Sequence, residues 1–217
     1  MSKGILVLFF GPDGSGKTTL ARLLKQKLEK DRLKVKISWM RGTHTISLIL
    51  ALILSRFSNM RGEDNPYFKI KMPKCKCFWQ FLEFTSAIPI ILLKYEIPVL
   101  FKYIVIGERS YIDLIVWITT TTNDWTFPKG FFARFLLKLA IRYTNFYITA
   151  DIHELMKRRS NEVNEAFIRK QYACYEIISK LIVTHKINTT NKSSEESLSD
   201  IITELLKQNN LKELRNK

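Results

Sequence analysis

The residues with the clearest chemistry lie near the start of the chain, at positions 11–18, where the sequence reads GPDGSGKT. Its glycines allow backbone angles that other residues resist, so successive N–H groups can turn towards one anion. Lys17 can reach the outer phosphates of a nucleoside triphosphate, and the Thr18 hydroxyl can ligate Mg²⁺. The segment therefore predicts a phosphate loop that binds ATP through Gly11, Pro12, Asp13, Gly14, Ser15, Gly16, Lys17, Thr18 and Thr19.

A second pair of reactive side chains, Glu108 and Arg109, follows an apolar run at 103–106. The pair would lie at the carboxyl end of a strand, which is where open parallel sheets bind ligands. Glu108 can hold Mg²⁺ together with Thr18, and Arg109 can clamp an acceptor phosphate with paired hydrogen bonds and assist catalysis. The alternative is a Glu–Arg pair merely exposed at a strand end. Asp113, one helical turn later, either orients the acceptor or is an Asp on a helix surface.

A third group of cations is formed by Arg158 and Arg159. A transferring phosphoryl group spreads charge over its oxygens, so arginines placed beside it lower the barrier directly. We predict this catalytic role for both residues, alongside Lys17. The alternative is the solvated basic face of a helix, since Lys157 precedes them.

These side chains need a scaffold, and the chain alternates short β-like runs with longer amphipathic segments. Apolar runs predict strands at 4–10, 35–39, 103–106, 146–149 and 181–187. Helical periodicity predicts helices at 18–30, 46–57, 78–95 (disturbed at Pro89), 131–142, from 151, 161–180 and 195–207, with a loop at 59–73. The alternation indicates a P-loop three-layer α/β/α fold, in which helices flank a five-stranded parallel sheet within a single domain spanning 1–217.

The composition is that of a globular protein: 217 residues, 46% of them hydrophobic, with a formal net charge of +15. A disordered chain is excluded. The excess of cations indicates an anionic partner such as a nucleotide, a nucleic acid or an acidic membrane, or else a Lys-rich surface with no particular partner. The chain contains no recognition-helix or RNA-binding motif, so we expect nucleotide substrates and no specific nucleic acid.

Cysteine usage and hydropathy bear on the compartment. An odd number of cysteines, Cys75, Cys77 and Cys174, does not make a disulfide framework, and no second ligand pair supports a metal site. The apolar run at 46–54 is too short to cross a bilayer, and the run at 87–101 is interrupted by charges and prolines. We expect a cytoplasmic protein without a secretory signal and without membrane insertion.

The segment FGPDGSGKTT at 10–19 resembles the phosphate loop of the thymidylate kinase family. IVIGERS at 104–110, LMKRR at 155–159, Phe167 with Tyr175, and INT at 187–189 resemble later segments of that family in the same order. The resemblance implies phosphoryl transfer from ATP with Mg²⁺, converting dTMP to dTDP. It also implies a short lid at about 157–167 before a basic tail at about 209–217, with Asn188 near the base of the ATP donor.

On the acceptor side, the resemblance places Asp13 near the sugar of the acceptor nucleotide. It makes Arg41 a candidate for the acceptor phosphate, although the residues around it lack the usual Pro-Gly pattern. The predicted acceptor-binding residues are Asp13, Arg41, Phe84, Arg109 and Asp113.

The departures from the family pattern fall mostly on the acceptor side. Glu108 replaces the usual Asp, and Tyr172 stands where the family tends to have Arg. The stretch at 81–88 has aromatic residues and no Arg, whereas the family holds thymine there with an Asp-Arg pair. Phe81 or Phe84 either stacks on a base or belongs to the core. The donor motif keeps the family pattern, whereas these departures leave the identity of the acceptor open.

Three functions remain open. The first is a thymidylate kinase; the second is a related kinase for another nucleoside, a sugar or a lipid head group. The third is a non-catalytic nucleotide-binding module that uses its positive charge to bind nucleic acid. The apolar helices at 46–57 and 131–141 either form a homodimer face or are buried in the monomer.

Overall fold

A parallel sheet forms the centre of the computed structural model, which describes residues 4–40, 42–159 and 164–207. The strands are β1 Ile5–Phe10, β2 Val35–Ser38, β3 Arg61–Asn65, β4 Ile104–Gly107, β5 Thr144–Thr149 and β6 His185–Asn188. Five of them pair in the order β2-β4-β1-β5-β6, every pair parallel, and β3 lies outside this sheet. The predicted five-stranded parallel sheet is confirmed.

Helices cover both faces of the sheet. They are α1 Lys17–Lys30, α2 Thr45–Leu54, α3 Lys76–Ile91, α4 Ile97–Leu100, α5 Tyr111–Thr122, α6 Phe131–Ala140, α7 Ile152–Arg159, α8 Glu165–Ser179 and α9 Ser194–Lys207. One core cluster joins the sheet to α3, α5, α6 and α8, and the other joins it to α1 and α9. These layers confirm the predicted three-layer α/β/α architecture.

Strand β1 is central because almost all of its side chains are apolar. Successive side chains of a strand point to opposite faces, and Leu6, Leu8 and Phe10 lie in the core cluster with α5 and α8, while Val7 and Phe9 lie in the cluster with α1. A strand that is buried on both faces can only be an inner strand of a covered sheet. This position carries the phosphate loop, which follows β1, to the middle of one sheet edge.

Three segments differ from the prediction. The fifth strand begins at His185 rather than at 181, because residues 181–184 form a turn before it. The helix that contains Pro89 does not stop there: α3 runs through it and passes via a π-helical stretch, Leu92–Glu96, into α4. Proline lacks an N–H and crowds the preceding turn, and wider π turns are a common local adjustment in disturbed helices.

The segment predicted as a loop at 59–73 contains β3. Its backbone folds back on itself, with the Gly62 N–H bonded to the Lys69 carbonyl at 3.0 Å. We call residues 61–70 the hairpin.

The continuous helical stretch Lys76–Leu100 is the one part of the described chain with the length and apolar character to cross a membrane. A window of 18 residues within it has a mean hydropathy of 1.3, and 44% of that window is buried. Phe84, Ala87, Ile91 and Tyr95 of this stretch belong to the core cluster of the domain. The expectation that the chain does not insert into a membrane stays a prediction.

Leu24 tests how strongly α1 is held on the sheet. The side chain is fully buried, and removal of such a leucine leaves a cavity that costs about 2–5 kcal/mol. We expect Leu24→Ala to lower the free energy of unfolding, measured by urea titration, by that amount. Lys27→Ala, on the exposed face of the same helix, should change it by less than about 0.5 kcal/mol. Equal effects of the two substitutions would contradict the packing of α1.

Candidate functional site

The phosphate loop has the backbone shape that its glycines allow. Gly11 and Gly16 have φ angles of 144° and 90°, in the region that favours glycine. A Cβ atom at Gly11 would lie 2.0 Å from the carbonyl oxygen of Ile148, so β5 leaves no room for a side chain there. The loop is thus held tightly against β5.

Lys17 lies inside this loop, although it is almost fully buried. Its Nζ donates to the carbonyl oxygens of Gly11 at 2.6 Å and Pro12 at 2.7 Å. Lys17 is also the first residue of α1, whose first turn contains no acidic residue. The positive end of the helix and the ammonium group therefore point at the same place, which is the arrangement that binds a phosphate.

Thr18 and Glu108 follow two adjacent strands, β1 and β4, and contact each other. Because β1 and β4 pair in parallel, the residues that follow them meet at one edge, and the Thr18 hydroxyl donates to Oε1 of Glu108. In triphosphate sites Mg²⁺ is held by few protein oxygens, with phosphates and water completing its shell. A hydroxyl beside a carboxylate fits that requirement. In the described part of the chain, no group of three His, Cys, Asp or Glu side chains could hold a metal alone.

Arg109 lies at the centre of a buried charged cluster. Its guanidinium forms an ion pair with Asp13 of the loop, and its Nη1 lies 3.6 Å from Oδ1 of Asp113. Tyr175 of α8 donates to Asp113 at 2.8 Å, and Asp113 also accepts from the backbone N–H of Ser110 at 2.7 Å. The Glu108–Arg109 pair is therefore not merely exposed at a strand end, because Arg109 is buried. Asp113 is not a surface residue either.

Burial sets the protonation of this cluster. It raises the pKa of Asp113, while Arg109 and Lys17 act in the opposite direction. For Arg109, burial is the largest influence and lowers the pKa, but Asp13, Tyr175 and Asp113 together outweigh it, so the net shift is upward. The guanidinium remains charged, and it is neutralised by carboxylates rather than by water.

Arg158 approaches the phosphate loop from α7. Its Nη1 donates to the carbonyl oxygen of Gly14 at 3.0 Å, and its Nε contacts Glu154 at 3.0 Å. Arg158 thus reaches the loop rather than lying on a helix face away from it. The side chains of Arg159 and Arg41, residues 160–163 of the predicted lid, and the predicted tail at 209–217 lie outside the described residues.

At the end of β6, the residue that contacts the loop is Thr189. Its hydroxyl donates to the carbonyl oxygen of Ser15 at 3.2 Å, and its N–H bonds to Thr149 at 2.8 Å. Asn188, predicted near the donor base, uses Oδ1 to accept from the N–H of Thr190 at 2.9 Å. The sequence identified this segment, but only the strand register shows which side chain faces the loop.

Phe84 lies in the hydrophobic core, which is the alternative to stacking on a base that the sequence left open. It is 8% exposed, and its ring centroid lies 4.7 Å from that of Phe132 and 5.7 Å from that of Phe135, both on α6. Phe81 is half exposed, with its ring 6.0 Å from Phe132. Phe84 therefore packs between α3 and α6, and its role in acceptor binding stays a prediction.

A buried carboxylate, Glu83, was not predicted. It is 1% exposed and accepts from the N–H and hydroxyl of Thr43 at 2.6 and 2.7 Å, from Ser47 at 3.1 Å and from Trp117 Nε1 at 3.4 Å. Burial raises the pKa of Glu83, and the hydrogen bonds from Thr43, Ser47 and Trp117 oppose that shift. The signal in the sequence is that Glu83 is the single carboxylate in α3.

The hairpin brings a second unpredicted group to the site. The Tyr67 hydroxyl donates to Oδ2 of Asp13 at 3.0 Å, and its ring centroid lies 5.5 Å from that of Trp117. The ring centroid of Phe167 on α8 lies 6.3 Å from that of the same Trp117, edge to face. These rings form an aromatic wall next to the Asp13–Arg109 pair, and Glu83 and Thr43 hold its central indole through Nε1.

Solved structures of thymidylate kinases share this arrangement of strands and helices. The Candida albicans enzyme matches with a TM-score of 0.65 at 18% identity, over 97% of this chain and 95% of that one. The Ehrlichia chaffeensis enzyme matches with a TM-score of 0.58 at 16% identity, over 94% of this chain and 100% of that one. No protein-family model matches the chain, and no curated protein matches it by sequence. The chain therefore has the fold of these kinases.

Glu83 gives the site a measurable pH dependence. Its folded pKa is raised above the ordinary value of 4.5, so its contribution to stability is complete below that value and is lost as the pH rises through the folded pKa. We expect the unfolding free energy of the wild type, relative to Glu83→Gln, to fall as the pH rises from 4.5. Urea unfolding at a series of pH values measures it.

The matched control for this pH series is Glu29→Gln, at an exposed position of α1. Its difference from the wild type should stay nearly constant over the same pH range. If the unfolding free energy of the wild type relative to Glu83→Gln instead rises with pH, the surroundings of Glu83 favour its ionised form, which would contradict the raised pKa.

Proposed function

We propose that this chain is a nucleoside monophosphate kinase of the cytoplasm that transfers the γ-phosphoryl group of ATP to dTMP with Mg²⁺, yielding dTDP and ADP. The observation that carries the proposal is the juxtaposition of two buried cations at the phosphate loop, each of which we assign to a phosphate. Lys17 is the first, inside the loop, and Arg109, paired with loop residue Asp13, is the second. Resemblance to the thymidylate kinase fold supports the same conclusion.

The donor site follows from the phosphate loop. Backbone N–H groups of the loop, the N-terminus of α1 and Lys17 hold the β- and γ-phosphates. Thr18 and Glu108 would hold Mg²⁺, which when bound neutralises charge between those phosphates. Thr189 keeps the loop next to β6, where we place the base of ATP close to Asn188.

The acceptor site is built around Arg109. Without a substrate, the guanidinium is held by Asp13 and lies near Asp113. An acceptor phosphate can replace part of that pairing and bind the planar guanidinium through paired hydrogen bonds. Asp13 is then available to the sugar of the acceptor, while Asp113 keeps Arg109 in position. We also assign Arg41 to the acceptor phosphate.

Transfer requires positioning and electrostatics, without a covalent intermediate. An oxygen of the acceptor phosphate forms the new bond to the γ-phosphorus as the bond to the ADP oxygen breaks. Arg158, which already contacts the loop at Gly14, and Arg159 stabilise the charge that spreads over the γ-phosphoryl oxygens. Closure of the lid at about 157–167 excludes water and suppresses hydrolysis of ATP.

The second candidate function is a kinase of the same kind with a different small acceptor. The observation that favours it is Glu83, a buried carboxylate with four hydrogen-bond donors, in the stretch where the thymidylate kinase pattern has an Arg. A carboxylate cannot donate to the carbonyl oxygens of thymine as a guanidinium can. Another nucleotide base, a sugar or a lipid head group would each need different contacts with Glu83 and with the aromatic wall around Trp117.

Coupled measurement of ADP release with a panel of nucleoside monophosphates, sugars and lipid head groups tests the proposal. We expect turnover with dTMP, and we expect Lys17→Ala to reduce it by about 10²–10³-fold, the loss typical when a transition-state charge contact is removed. Arg109→Lys should raise the KM for the acceptor more than the KM for ATP, because an ammonium group cannot form the paired hydrogen bonds.

Lys27→Ala, on the solvent face of α1, is the control with full activity. Turnover with a sugar or a lipid head group, and none with dTMP, would select the second candidate. Binding of ATP without turnover in the presence of any acceptor would instead indicate the non-catalytic nucleotide-binding module.

We also propose a homodimer formed through α2. Its side chains Ile46, Ile49, Leu52 and Ile53 are 46–60% exposed, and the helix lacks charged residues. An apolar stripe of this kind on a folded domain marks an interaction surface. A stable interface needs about 800 Å² of buried surface from each partner, which one helix and its neighbours can supply.

Sedimentation velocity of the purified chain tests this assembly. We expect a dimer for the wild type and a monomer for Ile49→Glu, because a charge at the centre of an apolar interface is left without a partner. Ile177→Glu, at a similarly exposed position on α8, should remain dimeric. A monomeric wild type would contradict the proposal and leave the apolar face of α2 without an explanation.

A further inference from the structure

The edge of the sheet opposite the phosphate loop gathers residues from distant parts of the chain. Since all five strands run parallel, the segments that precede β2, β4, β5 and β6 all end at this edge. Backbone hydrogen bonds tie neighbouring segments together, from Ile5 N–H to the Tyr103 carbonyl at 3.2 Å and from Ile104 N–H to the Lys34 carbonyl at 2.8 Å. We call this surface, formed by residues 31–34, 100–103, 141–143 and 180–184, the lower edge.

Large apolar side chains protrude from the lower edge. They are the most exposed ones in their segments: Val183 at 84%, Leu100 at 79%, Phe101 at 71%, Ile141 at 59% and Leu181 at 57%. Single exposed apolar residues are normal on protein surfaces. Here three of them, Leu100, Ile141 and Val183, line one open cleft of about 600 Å³. Sequence-distant apolar groups that converge on one surface indicate a binding face.

Cations stand next to these apolar residues in the sequence. Lys102 follows Phe101, Arg142 follows Ile141 and Lys180 precedes Leu181, and Arg32 and Lys34 extend the same edge. Among the described residues none of these five cations is in an ion pair; Arg142 stacks over Tyr143 at 5.8 Å.

The acidic residues of this region are few. Glu96, which lines the cleft, already accepts the hydroxyls of Tyr111 at 2.9 Å and Tyr143 at 2.6 Å. Asp31 also belongs to the lower edge, and this residue likewise interacts with another group of the protein. Positive charge therefore dominates the lower edge, and it is interleaved with exposed apolar side chains.

We propose that the lower edge docks the protein onto an anionic lipid surface. Apolar side chains at loop tips enter the boundary between head groups and acyl chains, and neighbouring cations meet the lipid phosphates. A protein partner fits this pattern less well, because Lys is depleted from the centres of protein interfaces. The strands separate the two edges by about 15–20 Å, so the phosphate loop faces away from the membrane. The docking does not depend on the identity of the phosphoryl acceptor.

Vesicle sedimentation with the full chain tests the proposal. We expect the protein to pellet with phosphatidylserine-rich vesicles at least about tenfold more strongly than with phosphatidylcholine vesicles, since each cation near an anionic surface adds to binding. Raised salt concentration should weaken this binding, because it screens exposed charges. Failure to bind phosphatidylserine-rich vesicles at low salt would overturn the proposal.

Substitutions locate the contact. The double variant Phe101→Ser with Val183→Ser should bind about tenfold more weakly, since it removes two of the five exposed apolar side chains of the lower edge. Phe131→Ser is the matched control: Phe131 is 78% exposed but begins α6, whose other end leads to the lower edge, about 15 Å away along the helix. The control should bind vesicles like the wild type, and thermal melts should show that all variants are folded.

Two further outcomes would also overturn the proposal. If the double variant and the control bind vesicles equally well, the lower edge is not the contact. If vesicle binding is absent while the double variant changes the sedimentation coefficient of the protein, the edge is covered by a second copy of the chain rather than by lipid.

Discussion

The buried ion pair between Asp13 and Arg109 is the interaction on which the site depends. Both residues are nearly inaccessible to water, at 3% and 6% exposure, and a buried charge that loses its partner is strongly destabilising. The pair ties the phosphate loop after β1 to the end of β4. Through Asp113 and Tyr175 the same network reaches α5 and α8. Loop, sheet edge and helices therefore hold one geometry together.

This network also explains why the two halves of the site differ. The donor half that we propose is made of backbone groups and Lys17 in one glycine-rich loop, so its chemistry can be read from local sequence. In the acceptor half, the protein's own groups satisfy one another: Tyr67 and Arg109 share Asp13, and Glu83 takes up donors from Thr43, Ser47 and Trp117. The acceptor that we propose would exchange with these contacts, so its identity would depend on their geometry.

The same contrast decides what could be predicted from the sequence. The loop, β1 and the parallel sheet were predictable, because a glycine-rich motif and a doubly buried apolar strand are local patterns with one physical meaning. The placement of Tyr67 on Asp13, of Glu83 against Trp117, and of Thr189 on the loop depends on contacts between residues 34–174 positions apart. Periodicity does not encode such contacts. Phe84 shows the limit most clearly, since spacing alone does not tell a stacking ring from a core ring.

The positions of the charged residues limit which anions can bind, and the net charge alone does not show this limit. In a chain of net charge +15, a bulk positive field attracts every anion, so it cannot distinguish a nucleotide from a lipid or a nucleic acid. Discrimination has to come from burial. Three carboxylates, Asp13, Glu83 and Asp113, are each at most 3% exposed and surround the acceptor half, where they hold cations and hydroxyls in fixed directions. An anion that enters must match those directions, whereas the cations of the lower edge meet any anionic surface.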